Sequence, residues 1–308
     1  MQRIRIGTRG SKLALVQTNQ VVEQLRKAYP EIETETVVLR TKGDQILDRP
    51  LIDFGGKGVF ITEFEEALLN GKIDLAVHSS KDMPMHLEEG LTIAGTLARA
   101  DARDVLVMRK GIHPRQQKQT AEKTIEQIRQ DNSNILIGTG SLRRQFQLKS
   151  IYPGISCLNI RGNVQTRLNR ILEGQCDGVI LAAAGLERLG LTKQEEFDSR
   201  YFSFAEMIPA GGQGIIAVEG RSGDPATELV RGISDQIAYQ ELETERRVLQ
   251  LLDAGCHEAV GVISQIQDDR ISLEVIQEKR GVIYRRRGED TVTNRMKLAD
   301  AVVSAILK

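Results

Sequence analysis

Residues 137–144, IGTGSLRR, repeat in the second half of the chain the strand end, Gly-Thr turn and helix start of residues 6–11, IGTRGS. An apolar run that closes on glycine and threonine and passes straight into a helical period is the joint of a strand-helix unit. At such a joint the first backbone N–H groups of the helix are unpaired and face an anion readily. One joint in each half implies two α/β lobes that present helix ends across a single cleft. Ordinary turn chemistry, with Ser11 as the cap of the first helix, would explain one turn alone. The repetition argues for a site, to which Arg9, Arg143 and Arg144 bring permanently charged donor forks.

Between the two joints lies Ile73–Pro84, IDLAVHSSKDMP. Ile73, Leu75 and Val77 read as a short buried strand, and the chain turns polar at His78. Lys81 and Asp82 follow just past its carboxyl end, where open α/β sheets bind ligands. A solvated turn closed by Pro84 is the plain alternative. Further strands are expected at residues 155–160 and 178–184. Arg143, Arg144, Arg161, Arg167 and Arg188 then fall at or beyond strand ends of one lobe, and a parallel sheet would aim them into one crevice. Because guanidinium binds carboxylate bidentately, the set suits a ligand rich in carboxylates. On that reading, replacing Arg143 or Arg161 by leucine weakens binding and leaves the melting temperature nearly unchanged. Arg170 reads as a solvated helix face.

Residues 41–58 carry glycines, Pro50 and no period, which suits a long loop, either a lid over the site or plain surface disorder. Thr62 and Glu65 read as a capping box opening a helix that ends at Asn70-Gly71. Residues 121–130 read as helical. Residues 208–219, IPAGGQGIIAVE, suit a strand returning to the first lobe, and two crossings between lobes make a hinge. A long helix from about Ile233, strand-like runs at 259–266, 271–277 and 281–286, and a helix at 296–307 make a small α+β domain. The expected fold is therefore α/β: two lobes like those of periplasmic binding proteins, with a hinge, plus a small α+β C-terminal domain. The division is 1–97 with 206–228, 98–205, and 229–308.

With 308 residues, 40% hydrophobic and 27% charged, and 42 basic against 42 acidic side chains, the chain has no global basicity to suggest nucleic acid. No apolar segment suits a signal peptide or a membrane span, so a cytoplasmic protein is expected. Cys157, Cys176 and Cys256 lack metal-ligand spacing, as do the four histidines, and no metal is expected. Cys256 lies in a glycine-flanked loop near His257 and is expected to be accessible, whereas Cys157 and Cys176 pack as small apolar residues.

Taken together, IGTRGSKLAL, TKGD, GGKG, AVHSSKDMP, GTGSLRRQ, IRGNVQTRL, LAAAGLERLG, GGQG and AGCHEAVG resemble, in order, the porphobilinogen deaminase (hydroxymethylbilane synthase) family. The resemblance runs from Gly7 to Gly261. It implies a transferase of tetrapyrrole (haem, porphyrin) biosynthesis that condenses four porphobilinogen molecules head to tail and releases ammonia at each step. It further implies a covalent dipyrromethane cofactor on Cys256 by a thioether, with Asp82 as the catalytic residue. Cofactor-binding residues carried over are Lys81, Ser11, Thr139, Ser141, Arg143, Arg144, Arg161 and Arg167; substrate-binding residues are Arg9, Ser11, Arg161, Arg167 and Arg188. Family members are generally monomeric, so a monomer is expected.

The sequence departs from the family pattern at Thr62, where lysine is usual. It departs again at Gly140 and Gly211, which read as added backbone freedom. A non-catalytic two-lobed anion-binding protein of periplasmic-binding-protein type would share the lobes, hinge and arginines, but would not need Asp82 or a group on Cys256.

Overall fold

The first strand, β1 (Arg3–Arg9), buries Ile4 and Ile6 on one face, the period-two pattern of a sheet that packs on a core. The computed structural model describes residues 3–40, 61–110, 135–254 and 258–307. In the first sheet the order is β2 (Glu33–Leu39), β1, β3 (Leu75–Ser79), β10 (Ile216–Arg221) and β4 (Leu91–Thr96). β1 runs parallel to β2 and β3, while β10 is antiparallel to β3 and β4. As expected, the chain leaves this sheet after β4 and returns to its middle through β10. Helices α1 (Lys12–Ala28) and α2 (Thr62–Leu69) cover it, α1 through Val21, Val22 and Leu25.

The second sheet is ordered β7 (Ser156–Leu158), β6 (Leu136–Gly138), β8 (Gly178–Ala182), β5 (Asp104–Arg109), β9 (Phe197–Tyr201). β6, β7 and β8 are mutually parallel, which aligns the loops beyond them as the sequence led one to expect. β5 and β9 are antiparallel and were not anticipated. β5 lies between two neighbours and is buried from Asp104 to Met108, so it shows no alternation to read. Helices α3 (Leu142–Ile151), α4 (Val164–Leu172) and α5 (Ala183–Arg188) follow β6, β7 and β8. Beyond α6 (Pro225–Ile233), the third unit packs α7 (Gln236–Leu251) and α8 (Arg295–Leu307) on an antiparallel sheet. That sheet consists of β11 (Val260–Gln267), β12 (Arg270–Lys279) and β13 (Val282–Thr291).

Several local expectations need correcting. Thr62 is the first residue of α2 rather than its cap, Ile61 takes the cap position with no side-chain bond, and the Glu65 carboxylate instead accepts from the Glu88 N–H. The cut at 228/229 falls inside α6, whose Val230 packs on the first sheet, whereas Met207 belongs to the second core. Gly140 and Gly211 do not have positive φ. A Cβ there would come within 2.8 Å of Asn159 Oδ1 and 2.7 Å of Leu249 Cδ1 respectively, so both serve close approach. The loop at 41–58 and the helix at 121–130 lie outside the described residues.

Both crossings and the third unit converge on Glu245 of α7, whose side chain is fully buried. Its Oε1 accepts from Arg99 Nη1 (2.6 Å), the Ser264 N–H (2.8 Å) and Ser264 Oγ (3.0 Å). Its Oε2 accepts from the Gly212 N–H at 2.6 Å and from Arg99 Nη2 at 3.2 Å. Arg99 lies on the outgoing crossing, Gly212 on the return and Ser264 in β11. A buried carboxylate is tolerated only when paired on all sides; removing its charge leaves Arg99 only the longer pair to Glu241 Oε2 (3.2 Å) and sets an amide N–H against the donors of Gly212 or Ser264. Glu245→Gln should therefore cost about 3–5 kcal/mol of stability, read as a lowered urea midpoint; an unchanged midpoint would contradict this role.

Candidate active site

β3 runs directly into the single 3₁₀ turn Ser80–Asp82, which carries Lys81 and the exposed Asp82. The turn is held from the return crossing: the Ser80 N–H donates to Ile215 O (3.0 Å) and Ser80 Oγ to Gly212 O (3.1 Å). Gly212 has φ +72, and a Cβ there would lie 2.0 Å from Ser80 Oγ, so only glycine permits this approach. Just beyond, Arg246 donates to Pro84 O at 2.7 Å and to Met85 O at 2.9 Å, so α7 also grips the exit of the turn.

Opposite lie the groups of the second lobe. Arg167, at the start of α4, donates Nε to Gly162 O (2.9 Å). It is lowered to about 10 by burial and by Arg144, with Asp82 acting against the shift and Arg161 with it. The Asp82 carboxylate of one lobe is thus an electrostatic neighbour of the arginines of the other. Lys81 is half-buried and lowered to about 8, by burial first; Asp82 and Asp104 oppose this, while Arg144 and Arg143 reinforce it.

Arg143 and Arg144 do not lie open to the cleft. Both are buried around Asp104, the fully buried first residue of β5. Arg143 Nη1 donates to Asp104 Oδ2 (2.6 Å) and Ile208 O (2.7 Å). Arg144 donates Nε (3.0 Å) and Nη2 (2.8 Å) to Asp104 Oδ1, and Nη1 to Ile180 O (2.9 Å). Burial opposes ionisation of Asp104, yet the two guanidiniums outweigh it and hold the carboxyl well below the usual carboxylate range. Gln213 completes the set: its Nε2 donates to Asp104 Oδ1 (3.0 Å) and Ala102 O (2.7 Å), leaving Oε1 to accept from Lys81 Nζ at 3.5 Å. Asp104 and Gln213 were missed in the sequence. The signal available was a carboxylate heading the apolar run VLVM.

The remaining expected residues fall as follows. Ser11 caps α1, accepting from the Ala14 N–H, and Ser141 caps α3, accepting from the Arg144 N–H. Thr139 is buried, with Oγ1 accepting from the Ser141 N–H. Arg9 and Arg161 are half-buried at the ends of their segments. Arg188 Nη2 donates to Gly214 O at 2.7 Å, tying α5 to the return crossing. Cys176 packs in one core of the second sheet and Cys157 against the other, and burial raises both thiols. Cys256 lies outside the described residues. Among the described residues no group of three His, Cys, Asp or Glu side chains could hold a metal ion, and no helix is long and apolar enough to cross a membrane.

The fold is that of a two-lobed α/β protein with a hinge, in which one exposed carboxylate on a turn has cationic side chains of the other lobe as electrostatic neighbours. A family model for porphobilinogen deaminase, dipyromethane cofactor binding domain, matches residues 4–229. The porphobilinogen deaminase of Lachnospira eligens is 43% identical over 270 residues, covering 86% of this chain and 85% of that protein. That of Roseiflexus castenholzii is 41% identical over 271 residues, covering 88% and 84%. The periplasmic VFT2 domain of Bordetella pertussis BvgS superposes with a TM-score of 0.43 at 13% identity, over 75% of this chain and 86% of its own, too loosely to carry an argument. The chain belongs to the porphobilinogen deaminase family. It is a transferase of tetrapyrrole biosynthesis with a dipyrromethane cofactor, and the non-catalytic binding-protein alternative falls away.

Two outcomes follow from the pairing around Asp104. Arg143→Leu should cost about 3–5 kcal/mol of stability, because it leaves a buried carboxylate short of a partner. This reverses the expectation drawn from the sequence. Arg161→Leu, at a half-buried position, should leave the melting temperature unchanged and cost about 1.5–3 kcal/mol of ligand binding. Equal melting temperatures for the two variants would contradict the assignment.

For Lys81, the unfolded chain holds its proton up to 10.5 and the folded one up to about 8, so this group adds stability as pH rises from about 8 towards 10.5. Its attraction for carboxylates fades over the same window. Cofactor assembly on the apoprotein should decline above pH 8, and Lys81→Arg should remove that decline. An unaltered profile in the Arg variant would show that another group titrates.

Proposed function

We propose that the enzyme condenses four porphobilinogen molecules head to tail into hydroxymethylbilane, with Asp82 as the catalytic residue and Cys256 as the cofactor's attachment point. The observation that carries this reading is that the exposed Asp82 carboxylate of one lobe is an electrostatic neighbour of Arg167 of the other, on a turn whose Lys81 reaches Gln213 of the return crossing. The donor set fits the cofactor: a dipyrromethane carries acetate and propionate groups, and a cleft lined by Lys81, Arg161 and Arg167 supplies charge-assisted donors for them. When bound, the cofactor supplies the free pyrrole carbon to which the first substrate unit is joined.

The chain's own residues then have distinct tasks. Lys81, Arg161 and Arg167, with Arg9 and Arg188, hold carboxylates and so fix the pyrrole rings against each other. Ser11, Thr139 and Ser141 hold the backbone of the two helix starts. Arg143 acts through Asp104 rather than on a ligand, and Arg144 shares that anchor. As ammonia departs from the aminomethyl group of porphobilinogen, positive charge develops on the pyrrole nitrogen. Asp82 is the fixed negative charge that meets it.

The units we propose are 1–97 with 209–234, 98–208, and 235–308. The first boundary follows the packing of Met207 on the second sheet, and the last the cap of α7 at Asp235. We further assign the protein to the cytoplasm as a monomer that binds no nucleic acid, in keeping with its balanced charge. Intact-mass measurement of purified protein tests the attachment. Wild type should carry a two-pyrrole adduct, as should Cys157→Ser and Cys176→Ser, while Cys256→Ser should be bare and inactive. An adduct retained by the folded Cys256→Ser variant would refute it.

A further inference from the structure

On the face of the first sheet that packs under α2, three ionisable side chains sit in otherwise apolar surroundings. His78 of β3 is 8% exposed, Glu219 of β10 fully buried and Glu65 of α2 7% exposed. His78 Nε2 lies 3.0 Å from Glu219 Oε2, and the imidazole is flanked edge-on by Phe64, ring centroids 5.3 Å apart. Glu219 Oε1 is buried without a hydrogen-bond partner among the described residues. Glu65 is raised by its burial and then by the charge of Glu219. A buried carboxylate held chiefly by one histidine is a costly arrangement, and nothing in the packing of the core requires it.

Its position suggests a use. β3 and β10 pair in the register His78↔Ala217 and Ser79↔Ile216, and the ladder continues into the catalytic turn through the Ser80 N–H and Ile215 O. The direction of Lys81 and Asp82 is therefore set by how β3 lies along β10. On the other edge of β10 the pairing with β4 is irregular: the register shifts between Val218, opposite Gly95, and Glu219, opposite Ile93. The extra residue there is Ala94 of β4, opposite Val218 and Glu219, so pairing is looser on that side and β10 is held the more by β3. Here Glu219 meets His78, whose backbone is four residues from Asp82. A slip of β3 would leave Glu219 buried with no partner, so the pair penalises every other register.

We propose that His78 and Glu219 form a positioning pair that aims the Lys81–Asp82 turn for the reaction. Neither touches the reacting atoms; both act through the β3–β10 ladder. The pair should govern kcat rather than KM, because the error it prevents is one of direction at the catalytic carboxylate.

The test compares His78→Phe, His78→Gln and the double variant His78→Phe/Glu219→Leu as cofactor-loaded enzymes, measuring melting temperature, kcat and KM for porphobilinogen. The Phe variant strands Glu219 and should both melt earlier and turn over more slowly. In the double variant no buried charge is left unpaired, so melting should recover, while kcat stays lower by about 10²-fold with KM little changed. The Gln variant, whose amide nitrogen reaches as far as Nε2, should recover most of kcat. A double variant with near-normal kcat would overturn the proposal. So would a loss confined to KM, or a Gln variant as slow as the Phe variant.

Discussion

Asp104 is a fully buried carboxylate at the head of β5, and much of the site depends on how its charge is satisfied. Arg143 and Arg144 reach it from α3, and Gln213 reaches it from the return crossing. Because the amide nitrogen of Gln213 is committed to Asp104 and to Ala102 O, its oxygen is left for Lys81. One buried charge thereby turns an acceptor towards a lysine on the opposite lobe. Glu245 plays the corresponding part at the hinge, gathering Arg99, Gly212 and Ser264 from three segments. These carboxylates resist replacement because desolvated guanidiniums would lose their main counter-charge and the Gly212 and Ser264 N–H groups their acceptor.

The hinge is therefore not a bare linker. Its outgoing strand is pinned by Arg99 and its return by Gly212, and both pins end in the third unit. The same α7 holds Pro84 and Met85 through Arg246. The unit that carries Cys256 is in this way mechanically continuous with the turn that carries Asp82. That continuity suits the proposed reaction, in which a primer attached at Cys256 meets the Asp82 carboxylate.

The sequence made the architecture legible where periodicity is strong. The paired Gly-Thr joints, the return strand and the C-terminal strands and helix all stand close to where they were expected. Buried β5 and the edge strand β9 were missed because neither shows a clean alternation. For the site, residue types were readable but partners were not. Arg143 and Arg161 look alike as arginines past strand ends; only the fold reveals that Asp104 claims the first and leaves the second half-exposed. The Thr62-Glu65 pair matched a capping box, yet Glu65 turns to Glu88 because tertiary packing outbids a local cap. Lys81 and Asp82 were found from position alone, while Gln213, whose amide oxygen faces Lys81, lies 132 residues away in sequence.

The central chemical claim is that the charge of Asp82, rather than its shape or packing, drives the loss of ammonia. Single-turnover ammonia release by cofactor-loaded Asp82→Asn enzyme bears on it most directly. Asp82 is exposed on its turn, so the variant should fold and melt as wild type does. Ammonia release should nevertheless slow by roughly 10²- to 10⁴-fold, the range seen when a charge-stabilising or acid-base group is removed. Near-normal release by a folded, cofactor-loaded Asn variant would contradict the claim and transfer the role to Lys81 or to water.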